Sequence, residues 1–132
     1  THAFIKKYGV EVFAQSFVEP LFLLKNREHL KEEIAELKNI AKHSSEKGVL
    51  ATTIAMRDRP DRTKVLASLT CPVLLIGGKN DATIPYEKLE EQKALSSFIM
   101  LEGIDNCGHM GMYEQRDHTR KVLTTFLKNA YN

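Results

Sequence analysis

The stretch Pro72-Val73-Leu74-Leu75-Ile76, closed by Gly77-Gly78, constrains the fold more than any other feature of the chain. Its aliphatic residues run consecutively, without the polar alternation of a strand that has one wet face. The run therefore predicts a strand, Val73 to Ile76, buried on both sides. Lys79 to Pro85 reads as a loop, Tyr86 to Ser97 as a helix and Phe98 to Leu101 as a second strand. A strand, a helix and a strand of these lengths form a right-handed crossover with the strands parallel. A second loop, Glu102 to Met112, leads to a C-terminal helix with Val122, Leu123, Phe126, Leu127 and Ala130 on its inner face. The fold class is α/β: a helical region, then a two-stranded parallel βαβ unit, then a terminal helix.

The chain before Pro60 has a different texture. Val10, Phe13, Ala14 and Phe17 recur at helical spacing, bounded by Gly9 and Pro20. Leu21 to Leu24 is apolar on every side and must be covered. Asn26 is a candidate N-cap for a longer helix whose stripe is Leu30, Ile34, Leu37 and Ala41. Gly48 breaks that pattern, and Val49 to Met56 reads as another short helix. Arg57 to Arg62 is a charged cluster in which Asp58 and Asp61 offset the arginines, with Pro60 placed for the first turn of a helix carrying Val65, Leu66 and Leu69. Two regions result: residues 1–56, helical, and residues 57–132, the βαβ unit with its flanking helices.

Composition removes several classes. Lys and Arg total 19 against 17 Asp and Glu, and this small excess leaves no electrostatic footprint for nucleic acid. No apolar stretch approaches the roughly 20 residues that span a bilayer. Cys71 and Cys107 make neither a disulfide framework nor a zinc site, which points to a reducing cytoplasm. They should sit near opposite ends of the sheet, Cys71 as buried filler at the strand start and Cys107 as a small residue in a packed loop. His2, His29, His43 and His118 lack metal-ligand spacing and read as surface residues. No metal and no organic cofactor is expected.

In parallel sheets, functional groups gather at the carboxyl ends of the strands. The loops that follow the two strands here are Gly77-Gly78-Lys79-Asn80-Asp81-Ala82-Thr83-Ile84-Pro85 and Asn106-Cys107-Gly108-His109-Met110-Gly111. Adjacent parallel strands bring both loops to one edge, where Asp81 and His109 can meet. A carboxylate beside an imidazole fixes its tautomer, orients the ring and stabilises the imidazolium formed during proton transfer. Cys107, two residues from His109 in one tight loop, is poorly placed as a nucleophile. Glu114 is a candidate for holding the histidine loop or capping the last helix, not for catalysis.

The series Pro72 to Asp81, then Ile84-Pro85, then Gly108-His109-Met110 and Glu114, resembles the C-terminal half of the α/β-hydrolase family. Arg59-Pro60-Asp61-Arg62 and the helix to Leu69 are similar to the segment entering that family's penultimate strand, and Phe126-Leu127 to the end of its final helix. The resemblance covers Arg57 to Lys128. It implies that Asp81 is the triad acid and His109 the general base, in the family order nucleophile, acid, histidine. By position and helical character, residues 1–56 fall where the family places its cap or lid, and residues 57–132 are the C-terminal part of its core.

The Gly-x-Ser-x-Gly nucleophile elbow is absent: Ser16, Ser44, Ser45, Ser68, Ser96 and Ser97 all lack its glycines. With Thr1 in place of an initiator Met, the expectation is a fragment of a longer serine hydrolase, inactive alone, whose partner is the missing N-terminal half of the same fold. The implied substrate is a small molecule with an ester-like bond, in a pocket to which Phe13, Phe17, Leu21, Phe22, Ile84 and Met110 contribute. An uncovered strand edge predicts a homodimer or a higher homo-oligomer. No nucleic acid and no membrane enters this reading. Two alternatives stay open: a non-catalytic half-domain acting as a binding module, and a hydrolase-fold relative with haloperoxidase-like or C–C bond-cleaving chemistry.

Overall fold

The computed structural model describes residues 1–131, which divide into two compact units. The first comprises Thr1–Pro20 and Arg27–Asp61; the second comprises Leu21–Asn26 and the chain from Arg62 on. The chain therefore leaves the first unit at Pro20 and returns to it at Arg27. The break at Asp61 lies a few residues beyond the expected boundary after Met56, and Leu21–Asn26, read as part of the helical region, packs with the βαβ unit instead.

The first unit is helical: α1 (His2–Phe17), α2 (Lys31–Lys42) and α3 (Glu46–Arg57), with α1 packed on both others. Its interior is Ile5, Val10, Ala14, Val18, Leu30 and Ile34. Gly9 does not bound α1. It kinks the helix at φ 80°, ψ 170°, a conformation open only to a residue without Cβ, and helical turns continue on both sides. Nor does Gly48 break a helix. Ser45 is the N-cap of α3 and accepts the Gly48 N–H at 3.0 Å, which places Gly48 in the first turn. Asn26 is not the cap of α2, which starts at Lys31.

The second unit holds α4 (Thr63–Ser68), β1 (Val73–Gly78), α5 (Tyr86–Lys93), β2 (Ile99–Ile104), α6 (Gly111–Glu114) and α7 (Arg116–Tyr131). Pro60 lies outside α4, which begins three residues later. β1 and β2 pair in parallel, from Val73 opposite Ile99 to Gly78 opposite Ile104, with α5 as the crossover. Both strands run further than their apolar residues suggest, because a ladder is made by backbone and passes through Gly77, Gly78, Glu102 and Gly103 without regard to side chain. Residues 73–77 are half-buried rather than buried on both faces, since β1 has one neighbouring strand among the described residues. α5 is shorter than Tyr86 to Ser97. Its last carbonyls are taken up by Ala94 and Leu95, and Ser96 Oγ accepts the Phe98 N–H at 3.2 Å to start the strand. Cys71 is exposed, not buried, because it lies in the bend before the ladder begins.

Ile99, Ile104, Phe22 and Cys107 form the most buried positions of this unit. Close approaches are made at glycine: a Cβ on Gly77 would collide with Leu89 of α5, and one on Gly103 with Tyr86. No helix among the described residues is long and apolar enough to cross a membrane.

Candidate active site

Asp81 stands three residues beyond the last residue of β1. The turn that presents it is stitched to the neighbouring loop: the Lys79 N–H donates to Ile104 O at 2.9 Å and the Asn80 N–H to Cys107 O at 3.0 Å. Asp81 Oδ1 accepts the Thr83 and Ile84 N–H groups at 2.7 and 3.0 Å, the local ring that short carboxylates make readily. This fixes the carboxylate plane and aims Oδ2 across the strand ends. There it accepts His109 Nδ1–H at 2.7 Å. The Asp81 side chain is 8% exposed and that of His109 37%. With its proton on Nδ1, the ring carries a lone pair on Nε2, which has no hydrogen-bond partner among the described residues.

The loop that carries His109 follows β2. Asn106 adopts φ 55°, the left-handed region that asparagine tolerates, and turns the chain back toward β1. Gly78 permits the approach, because a Cβ there would strike the carbonyls of Cys107 and Gly108. The His109 N–H donates to Leu21 O at 2.9 Å. Cys107 is fully buried, and its thiol is pushed up to about 12 by that burial, with the Glu114 and Asp81 charges adding to it. It stays protonated and directs Sγ–H at Gly108 O, 3.4 Å away, so it is a packing residue and no nucleophile. Cys71 and Cys107 are both free.

Beneath the loop lies a carboxylate whose importance the sequence hardly announces. Glu114, 7% exposed, accepts the Gly108 and Met110 N–H groups on Oε1, at 2.9 and 3.2 Å. Its Oε2 accepts the Leu23 N–H at 2.9 Å and Asn26 Nδ2 at 2.7 Å. Asn26 is buried and also donates to Asn106 O at 2.9 Å, while Lys25 Nζ reaches Asn106 Oδ1. The sequence signal for this arrangement is slight: an acid at the end of a one-turn helix, and an asparagine that reads equally well as a helix cap.

The other residues singled out from sequence are dispersed. Ile84 is exposed beside Asp81 on the same loop, and Met110, next to His109, is half-buried. Leu21 contributes its carbonyl to the histidine loop. Phe22 is an interior residue of its unit, 1% exposed and tilted against the Tyr113 ring at 6.1 Å between centroids. Phe13 and Phe17 belong to the first unit. There they stack at 4.9 Å and help line a cleft of about 980 Å³ between α1 and α3. His118 bonds Glu102 Oε1 at 2.6 Å, on the outer face of β2 and α7. No group of three His, Cys, Asp or Glu among the described residues is arranged to hold a metal ion.

No protein-family profile matches the chain. It is similar to the AB hydrolase superfamily protein YisY of Bacillus subtilis (strain 168), at 28% identity over 88 residues, which is 67% of this chain and 32% of YisY. Among solved structures it is similar to a thermophilic esterase from Thermogutta terrifontis, with a TM-score of 0.90 and 23% identity over 99% of this chain and 48% of that one. It is also similar to the enol-lactonase from Burkholderia xenovorans LB400, with a TM-score of 0.87 and 17% identity over 96% of this chain and 48% of that one. The chain thus spans about half the length of these structures and about a third of the curated relative.

Proposed function

We propose, for a chain that adopts the C-terminal half of the α/β-hydrolase fold, that Asp81 and His109 are the acid and the general base of a hydrolytic triad. The observation that carries this reading is the 2.7 Å bond from His109 Nδ1 to a nearly buried Asp81, with Nε2 left without a partner among the described residues. The nucleophile is a serine outside these 132 residues, since no serine here sits in Gly-x-Ser-x-Gly. That serine attacks the carbonyl of a small ester-like substrate as His109 Nε2 takes its proton. Asp81 steadies the imidazolium, His109 passes the proton to the leaving group, and water releases the acyl group by the same relay in reverse. Ile84 and Met110, which flank the dyad in sequence, border the substrate in this reading. The open edge of β1 takes a strand from the half that carries the serine; a chain kept by itself uses that edge for a second copy.

Turnover of a model ester tests this. The 132-residue chain alone should not exceed buffer, whereas the parent polypeptide should hydrolyse the ester. In that parent, Asp81→Asn should lower kcat by roughly 10³- to 10⁴-fold, because the wrong tautomer then faces the nucleophile. A parent that keeps its rate with Asp81→Asn and His109→Ala would leave a binding module as the better reading. Ester turnover by the isolated chain would remove the need for an outside serine.

A further inference from the structure

We infer that Glu114 is a positioning residue: its buried carboxylate clamps the His109 loop to the segment Leu21–Asn26 and thereby holds the imidazole in line with Asp81. The inference rests on His109 being the base proposed above. Both oxygens of Glu114 are occupied, each by two N–H donors with the Cys107 thiol 3.9 Å from Oε1, and the donors come from two separate stretches of chain. Oε1 holds the amides on either side of His109, those of Gly108 and Met110. Oε2 holds Leu23 and Asn26. Between the two, the His109 amide itself is bonded to Leu21 O at 2.9 Å. Gly108 fits because it has no side chain: a Cβ there would lie 2.8 Å from the Leu23 nitrogen and 3.1 Å from Glu114 Oε1. The backbone of His109 is therefore fixed from both flanks by one carboxylate, while Asp81 fixes its ring. Glu114 touches neither the ring nor any reacting atom.

The chemistry needs a carboxylate. A glutamine has one acceptor oxygen and an NH₂ group, so either way round it sets a donor against two donors. An aspartate keeps both oxygens but falls one methylene short.

Amide hydrogen exchange in the 132-residue chain tests the clamp without substrate or nucleophile. The informative amides are those not bonded to Glu114. His109 and Asn80 report on the loop, through Leu21 O and Cys107 O, and Val73 and Lys79 report on the sheet, through Phe98 O and Ile104 O. In Glu114→Gln the His109 and Asn80 amides should exchange roughly ten- to hundredfold faster while Val73 and Lys79 keep their protection. The downfield Nδ1 proton of His109 should broaden in the same variant, and Glu114→Asp should restore part of both signals. Equal acceleration at all four amides would make Glu114 a merely structural residue and overturn the inference, as would no acceleration at the loop. If Glu114→Gln does not fold, Asn26→Ala decides by the same comparison, with a loop-confined acceleration of a few-fold expected. Failure of the triad reading appears separately, as unchanged ester turnover on Asp81→Asn.

Discussion

Glu19 and Glu114 are both hydrogen-bonded carboxylates, one in each unit, and they do opposite work. Glu19 is on the surface, its side chain 45% exposed, with Lys38 Nζ at 2.6 Å and Arg27 at 4.0 Å. Glu114 is buried and meets no cation among the described residues; its partners are three backbone amides, the Asn26 side chain and the Cys107 thiol. Water can replace the partners of Glu19 at little cost. It has far less access to those of Glu114, where the bonds from Gly108 and Asn26 are buried and those from Leu23 and Met110 part-buried, so donors left without the carboxylate carry much of their desolvation cost. The charged pair decorates a helical unit that apolar packing already holds. The neutral-donor network is the means by which the second unit holds a loop that has little apolar surface of its own.

The comparison breaks first at Glu114. Glu114→Ala takes the acceptor away from buried and part-buried donors alike and should cost about 3–5 kcal/mol, read as the loss of unfolding free energy in urea. A loss under about 1 kcal/mol would mean that water enters beneath the histidine loop, and the contrast with Glu19 would disappear.

Next comes a pH dependence rooted in the same place. The Cys107 thiol titrates near 12 in the fold, against an ordinary value of 9.0. Its folded value is raised, so the folded chain retains a proton that the unfolded chain gives up. The stabilising contribution is complete below pH 9 and is lost as the pH climbs from 9 toward 12. The effect over that range is on the order of a few kcal/mol. Cys107→Ala should therefore lie below wild type at pH 7, for lost packing, and approach it as the pH rises. Parallel stability curves from pH 8 to 11 would place the thiol in contact with solvent.

Much of this was legible in the residues, and the exceptions follow a pattern. The unbroken run Val73 to Ile76 announced a parallel strand because few other arrangements bury consecutive aliphatics. Once two such strands lie side by side, the loops bearing Asp81 and His109 have to share an edge. What the sequence concealed is polar and long-range. Asn26 reads as a helix cap because asparagine oxygens cap helices; in the fold its nitrogen bonds Glu114 and Asn106, 80 and more residues away. That bond also explains why Leu21–Asn26 sides with the βαβ unit, a division that no periodicity signals. The apolar runs stop short of the strand ends because a hydrogen-bond ladder ignores the polarity of Glu102. Ser45 does not stand out as a cap because Gly48, its partner, looks like a breaker. Phe22, a candidate pocket residue by its hydrophobicity, is a core residue by its 1% exposure; a sequence alone cannot tell the two apart.

The smallest effect sharpens the comparison from its other side. Lys38 holds the Glu19 carboxyl below its ordinary value of 4.5, first by its hydrogen bond and then by its charge, with Arg27 adding less. The folded value is depressed, so the pair's contribution is present above about pH 4.5 and fades as the pH falls through the lowered folded value. Solvent screens so exposed a carboxylate, and the contribution should stay within about 0.2–1 kcal/mol at neutral pH, shrinking further at high salt. Lys38→Met keeps most of the aliphatic stem and removes the charge. Its destabilisation should be small at pH 7, smaller still in 1 M salt, and should shrink further as the pH is taken below 4.5. A cost above about 2 kcal/mol at pH 7 would mean that the pair is shielded from water in a way its exposure does not suggest. In that case the two carboxylates would differ in the partners they hold and not in how far each depends on the fold.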